Sequence, residues 1–221
     1  MTLTPRLIKF ALLPLLVCGC ENRPPAGADL STPKSAALVY LKAIQRGDAA
    51  TAKKVSFGTP EQKGWVDALA IMVDGMRSFD NALYAKFGRF SNQVHTDLAD
   101  SLMMLADGPV VWIGNGPVSF DDMKARIDPK KMGFASRSQP SIYLLLKKYG
   151  WEVDLEQTYA DGATPEQLKQ ISANYAMYRE LGQAMRAGAR DVMGGKFHSI
   201  EEASQALGER LKAIKSDAAP G

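Results

Sequence analysis

Few side chains in this 221-residue chain could carry chemistry. The two cysteines, Cys18 and Cys20, lie two positions apart, and the two histidines, His95 and His198, are far apart in the sequence. Neither pair has the ligand spacing of a zinc site, and two neighbouring cysteines do not form a disulfide scaffold. No serine lies in a Gly-x-Ser-x-Gly setting, and residues 114–116, Gly-Asn-Gly, read as a turn and not as a phosphate-binding loop. We therefore expect no bound metal and no cofactor.

The N-terminal segment has the pattern of an export signal. Arg6 and Lys9 precede an apolar run from Phe10 to Val17 that is too short to span a bilayer. The ending Val-Cys-Gly-Cys resembles the lipobox of bacterial lipoprotein precursors, with an aliphatic residue three positions before the last cysteine. The resemblance implies that residues 1–19 are a signal peptide and that Cys20 becomes the lipid-bearing N-terminus. The alternatives are a simple secretory signal or a short buried helix.

Charge argues against a nucleic-acid partner. The chain has 27 basic and 24 acidic residues, but the signal holds two of the basic ones and no acidic one, so the exported chain would be nearly neutral. Its lysine pairs are scattered, whereas nucleic-acid binding requires clustered positive charge.

We expect a location on a bacterial membrane, facing the periplasm. In enteric bacteria, Asp directly after the lipid-bearing cysteine resembles an inner-membrane retention signal. Here Glu21 follows Cys20, which favours the outer membrane.

The next part of the chain predicts a tether followed by helices. Residues 20–34 are rich in Pro, Gly and small polar residues, which predicts a flexible tether. Thr32 begins a first helix that ends near Gly47, and Asp48 caps a second, short one. A capping box at Thr59 opens a long third helix. Its predicted buried stripe is Trp65, Leu69, Met72, Met76, Phe79, Leu83 and Phe87.

Strands are predicted after a fourth helix at residues 92–106, which we expect to end at the Asp-Gly-Pro of 107–109. Residues 110–113, Val-Val-Trp-Ile, favour a short strand, and residues 119–122 favour the start of a short helix. Residues 142–146 and 151–155 predict a hairpin. In its second arm the residues alternate between apolar and acidic, which is typical of a half-buried strand.

Two segments resemble a known family. Residues 35–55, SAALVYLKAIQRGDAATAKKV, look like the opening helix pair of nuclear transport factor 2-like, or cystatin-like, domains. Residues 149–157, YGWEVDLEQ, are similar to the closing strand of many such bacterial envelope proteins. The resemblance implies an α+β domain over residues 35–160, in which N-terminal helices pack on a curved antiparallel sheet.

Residues 161–217 predict a helical extension packed on that domain. Thr164 repeats the Thr-Pro-Glu-Gln start of the third helix, and an apolar stripe follows in which Gly182 and Ala189 would allow close helix packing. The Gly-Gly of 194–195 ends this helix, and a capping box at Ser199 opens the last one. The alternative is that this helix pair docks a partner or forms a homodimer.

Three classes of function remain. The first is a non-catalytic, lipid-anchored envelope protein that binds an unknown protein or cell-wall partner or has a structural role. The second is a module that binds a small apolar ligand on the concave face of the sheet, in a pocket lined by Trp112, Tyr143 and Trp151. The third is an isomerase- or dehydratase-like enzyme of the same fold, for which the nominated residues are Glu152, Asp154, Tyr143 and Tyr149. We expect no enzyme, because both carboxylates oppose the apolar face of their strand and should therefore be solvated.

Lipidation predicts one defined N-terminal peptide. The protein isolated from membranes should begin at Cys20, and that residue should carry the mass of its lipid. Mass spectrometry of the N-terminal peptide checks this. A lipid-free peptide that starts at another residue would refute the anchor.

Overall fold

The computed structural model describes residues 25–88, 93–130 and 140–217, which form an α+β fold of helices around a five-stranded sheet. The helices are α1 (Pro33–Gln45), α2 (Ala49–Lys54), α3 (Pro60–Phe87), α4 (Gln93–Leu102), α5 (Gly108–Gly114), α6 (Leu155–Ala160), α7 (Pro165–Met193) and α8 (Ile200–Asp217). A π-helical segment, Met103–Asp107, joins α4 to α5. The strands are β1 (Ser56–Phe57), β2 (Val118–Asp121), β3 (Lys124–Ile127), β4 (Ile142–Lys147) and β5 (Gly150–Asp154).

Three helices begin with the same device, which was predicted in full at Thr59 and Thr164 and as an N-cap with a proline at Thr32. The hydroxyl oxygens of Thr32, Thr59 and Thr164 each accept a hydrogen bond from the backbone amide three residues later. The side chain of that later residue returns a bond to the cap amide, and proline occupies the first turn. These contacts satisfy amides that have no partner inside a helix, so each helix starts at a fixed residue.

The sheet is mixed and open, in the order β1-β5-β4-β3-β2. Strands β2 to β5 are antiparallel neighbours, whereas the two-residue β1 pairs parallel with β5. The β4–β5 hairpin confirms the prediction. Residues on one face of these strands pack beneath α1, and this buried set comprises Ala125, Ile127, Ile142, Leu144, Trp151 and Val153.

The predicted strand at residues 110–113 is wrong, because these residues lie in α5. The helix before them does not end at Pro109 but continues through the π-helical segment. There the amide of Gly108 donates to the carbonyl oxygen of Met103, five residues earlier. A wider turn of this kind accommodates a proline that lacks an amide and would crowd an ordinary helical turn. Helix continuity therefore overrides the β preference of Val-Val-Trp-Ile.

The predicted helix start at residues 119–122 is also wrong. Residues 118–121 form β2, and a two-residue turn leads into β3, with Asp121 paired to Lys124. Asp122 takes a φ of 52° in this turn. Aspartate tolerates that left-handed conformation better than most residues, so the acidic pair serves a hairpin turn and not a helix cap.

The fold begins before residue 35. Leu30 is buried, and its carbonyl oxygen accepts a hydrogen bond of 2.9 Å from the amide of Trp151. Helix α1 then starts at Pro33. The predicted tether of residues 20–34 is therefore too long, because its last residues are fixed against β5.

Helices α3 and α7 run side by side in the same direction over most of their lengths. Their backbones touch where Gly75 faces Gly182: a Cβ built on Gly182 would lie 2.5 Å from the carbonyl oxygen of Ile71. The carboxylate of Asp74 and the guanidinium of Arg186 form an ion pair of 2.6 Å beside this contact. The C-terminal helices therefore share the core of the domain.

The α3–α7 contact predicts a large effect of one methyl group. Gly182→Ala should lower the free energy of unfolding by about 1–3 kcal/mol, because its Cβ meets backbone atoms that cannot move without separating the helices. Gly208→Ala in α8 is the matched control. Outside its own helix turn, no atom of the described residues lies within 4 Å of its Cβ position, so it should raise stability by about 1 kcal/mol through helix propensity alone. Urea unfolding followed by circular dichroism measures both, and equal effects would contradict the close contact.

Candidate functional site

An apolar cavity of about 240 Å³ lies where several helices meet the first residue of β4. Most of its lining is aliphatic or aromatic, and the polar groups are the hydroxyls of a threonine and three tyrosines. The lining residues are Leu41, Ile44, Leu69, Met104, Leu105, Pro109, Trp112, Ile113, Pro129, Pro140, Ile142, Thr158, Tyr159, Tyr175 and Tyr178. Apolar concavities with a few placed polar groups are the usual form of a small-molecule site.

The π-helical segment forms one wall of the cavity and is held in place by its last residue. The carboxylate of Asp107 accepts a hydrogen bond of 3.0 Å from the side-chain amide of Gln45 on α1. It also forms an ion pair with Arg77 on α3. These two bonds fix the segment that carries Met104 and Leu105 into the cavity wall. Such π-helical turns are frequent at functional sites.

Tyrosines form the opposite wall. The hydroxyls of Tyr40 and Tyr159 lie 2.9 Å apart and share a hydrogen bond. The ring of Tyr175 stacks on Trp65 with centroids 5.5 Å apart, and it meets the edges of Tyr159 and Tyr178 at 6.0 and 5.6 Å. Aromatic pairs in these geometries stabilise beyond the area that they bury. The result is a rigid aromatic surface that joins α1, α6 and α7.

Burial keeps these phenols neutral. It raises the pKa of Tyr40 well above the ordinary value and also raises the pKa values of Tyr159 and Tyr175. An ionised phenolate would lose its hydration in this apolar setting. The hydroxyl groups of Tyr159 and Tyr175 can therefore donate or accept a hydrogen bond but do not serve as bases near neutral pH.

Of the three residues predicted to line a pocket, Trp112 alone lines this cavity. Trp151 is buried on the inner face of β5, edge-on to Phe120 at 6.1 Å between centroids. Tyr143 lies on the outer face of β4, under the guanidinium of Arg126 at 5.6 Å. Because neighbouring residues of a strand point to opposite faces, Tyr143 and the inward-facing Ile142 cannot line the same cavity.

The residues nominated for catalysis lie outside the cavity lining. The Asp154 carboxylate is buried, contrary to the expectation that it is solvated. It accepts a hydrogen bond of 3.1 Å from the amide of Gln157 and in this way caps the start of α6. Glu152 is half-buried on the outer face of β5. That burial raises its pKa, and nearby lysines partly offset the effect. Tyr149 lies in the β4–β5 turn, with the Lys148 ammonium 5.0 Å from its ring centroid.

The remaining predicted groups add no metal site to the described part of the chain. His198 precedes α8, where its backbone amide donates to the carboxylate of Glu202. The side chain of His95 and the residue Cys20 lie outside what the structure describes. Among the described residues, no group of three or more His, Cys, Asp or Glu side chains could hold a metal ion.

Sequence reasoning missed most of the cavity. Tyr175 and Tyr178 lie three residues apart in the apolar stripe of α7, and this spacing is the signal in the sequence that they share a face. No local sequence pattern marks Met104 or Thr158 as a cavity residue. Each lines the cavity together with elements that are remote in sequence.

Comparisons with known proteins do not extend this picture. No protein-family description, curated protein or solved structure matches the chain. Among the described residues, no helix combines the length and the apolar character needed to cross a bilayer.

The buried tyrosines predict a loss of stability at high pH. Their folded-state pKa values are raised above the ordinary 10.0, so the unfolded chain releases these protons first. Stability should be fully present below pH 10 and should fall above it, by up to about 1.4 kcal/mol per pH unit for each such tyrosine. Urea unfolding between neutral and strongly alkaline pH measures the slope. Tyr159→Phe should reduce the slope, and an unchanged slope would contradict the assignment.

Proposed function

We propose that this protein is an exported, lipid-anchored protein of the bacterial cell envelope whose folded body binds a small apolar ligand without transforming it. The anchor rests on the lipobox resemblance at Cys20. The binding role rests on one observation, the apolar cavity of about 240 Å³ between α1, α7 and the π-helical segment. The nominated carboxylates Glu152 and Asp154 lie outside that cavity, which supports binding over catalysis.

The walls define the chemistry of the ligand. A dry apolar cavity of about 150 Å³ is large enough for benzene, so this one has room for one or two fused rings or a short alkyl chain. Trp112 and Tyr175 offer aromatic surface for stacking. The hydroxyls of Thr158 and Tyr178 offer hydrogen bonds to a single neutral polar group. An ionised ligand would be disfavoured, because none of the described residues that line the cavity carries a formal charge.

The nuclear transport factor 2-like fold is part of the proposal. It is supported by the α1–α2 pair joined through Gly47 and Asp48, by the antiparallel order of β2 to β5, and by the position of α1 on the buried face of the sheet. The resemblance to that family implies a ligand site between the sheet and the helices that cover it. The cavity supports this, because its lining includes Leu41 and Ile44 of α1 and, among the described strand residues, Ile142 alone.

Naphthalene is a suitable probe of the cavity. The full chain should bind it, and its thermal unfolding midpoint should rise with naphthalene concentration, because a ligand that binds only the folded state stabilises that state. Met104→Trp should abolish this shift by filling the cavity from a partly exposed position. Differential scanning fluorimetry and isothermal titration calorimetry measure the effect.

The matched control is Met103→Trp. Met103 precedes Met104 in the same π-helical segment and is about half exposed, but it does not line the cavity. This variant should bind naphthalene like the wild type. If Met104→Trp and Met103→Trp bind equally well, the cavity is not the site. If the wild type shows no shift, a role in binding an envelope partner replaces the proposal.

A further inference from the structure

An exposed apolar patch lies at one end of the sheet, beside the two hairpin turns. Phe120 is 63%, Met123 57% and Leu146 42% exposed. The three are neighbours: the amide of Leu146 donates to the carbonyl oxygen of Met123 at 2.8 Å, and Trp151 both pairs with Leu146 and contacts Phe120. We call Phe120, Met123 and Leu146 the hairpin-end patch.

The surroundings of the hairpin-end patch are polar and of mixed charge. Lys124 and Lys147 follow Met123 and Leu146 in the sequence, Lys148 lies in the β4–β5 turn, and Asp121 and Asp122 lie at the end of β2 and in the turn that follows it. The lysine and aspartate charges nearly cancel. A partner that covers this patch is therefore recognised through apolar contact and not through net charge.

The N-terminal segment joins the body at the same end of the sheet. The carbonyl oxygen of Leu30 binds the amide of Trp151, and a Cβ on Gly150 would lie 2.5 Å from that same oxygen. A turn then leads back to Pro25, whose carbonyl oxygen accepts from the amide of Ala28 at 3.0 Å. From Pro25 to Cys20 the chain spans five residues, which reach at most about 17 Å when fully extended.

We propose that the hairpin-end patch rests in the interfacial layer of the bilayer that holds the lipid on Cys20. This inference depends on the lipid anchor of the proposed function. A tether that short keeps the sheet end near the headgroups, where aromatic and aliphatic side chains lose water. A lipid chain and an apolar patch are two weak attachments to the same membrane. Together they hold a protein there far more firmly than either does alone.

Placing the hairpin-end patch in the bilayer interface also fixes the orientation of the cavity. Pro129, Pro140 and Ile142 line the cavity at the opposite ends of β3 and β4. From Leu146 to Ile142 the strand rises about 13 Å. The cavity therefore lies on the part of the body turned away from the bilayer, and its ligand arrives from the aqueous compartment.

Site-specific labels test the orientation in the full, lipid-bearing chain. Apart from Cys18 in the signal and Cys20, the sequence has no cysteine, so Met123→Cys introduces one reactive thiol. Lys130→Cys is the matched control: it is also exposed and follows the other end of β3. Each variant is labelled with an environment-sensitive fluorophore and reconstituted into phosphatidylethanolamine–phosphatidylglycerol vesicles that contain lipids spin-labelled near the headgroup.

The label at residue 123 should lose several-fold more fluorescence to the spin-labelled lipids than the label at residue 130, and added salt should change this little. A label at Leu146→Cys should behave like the one at residue 123. If the chain floats with the vesicles but residues 123 and 130 are quenched equally, the patch does not face the bilayer, although the anchor stands. If the chain does not float, the anchor itself fails and the inference falls with it.

Discussion

The parallel contact between α3 and α7 is the constraint on which the rest of the structure depends. The backbones meet at Gly75 and Gly182, and neither position has room for a side chain. Two parallel helices in one chain require a return path: α3 has 28 residues and a length of about 42 Å, and the chain must travel back along it before α7 begins. Helices α4 and α5, strands β2 to β5 and α6 form that return. The sheet and the cavity are therefore built by the connection that the helix pair demands.

Local signals predicted the helix pair well. Capping boxes at Thr59 and Thr164 act within four residues, and a buried stripe such as Trp65 to Leu83 follows from one helix period, so both are readable from sequence. The return path was predicted less well, because its local preferences conflict with its context. Residues 110–113 favour a strand, but they continue a helix already under way. Asp121 and Asp122 match a helix cap as well as a hairpin turn, and only strand pairing decides between the two.

The cavity could be predicted only in part, for a related reason. Trp112 stood out as a large aromatic residue in an apolar run, and it does line the cavity. Tyr143 failed because the choice of face depends on strand register, which moves every side chain to the opposite face when it shifts by one residue. Tyr159 and Tyr175 come from helices on either side of Gly162, and the contact of Tyr159 with Tyr40 on α1 exists only after the return path has folded.

The same geometry makes the cavity a property of the whole fold. The cavity takes Leu41 from α1, Leu69 from α3, Trp112 from α5, Ile142 from β4 and Tyr175 from α7, so no single element can bind a ligand alone. A ligand held by these walls links the two parallel helices to the path between them. Its binding free energy should add to the stability of the whole domain and not to one loop. The phenols of Tyr159 and Tyr175, which close one side of the cavity, remain neutral. The added stability therefore requires an uncharged ligand surface. It also requires little reorganisation of the protein.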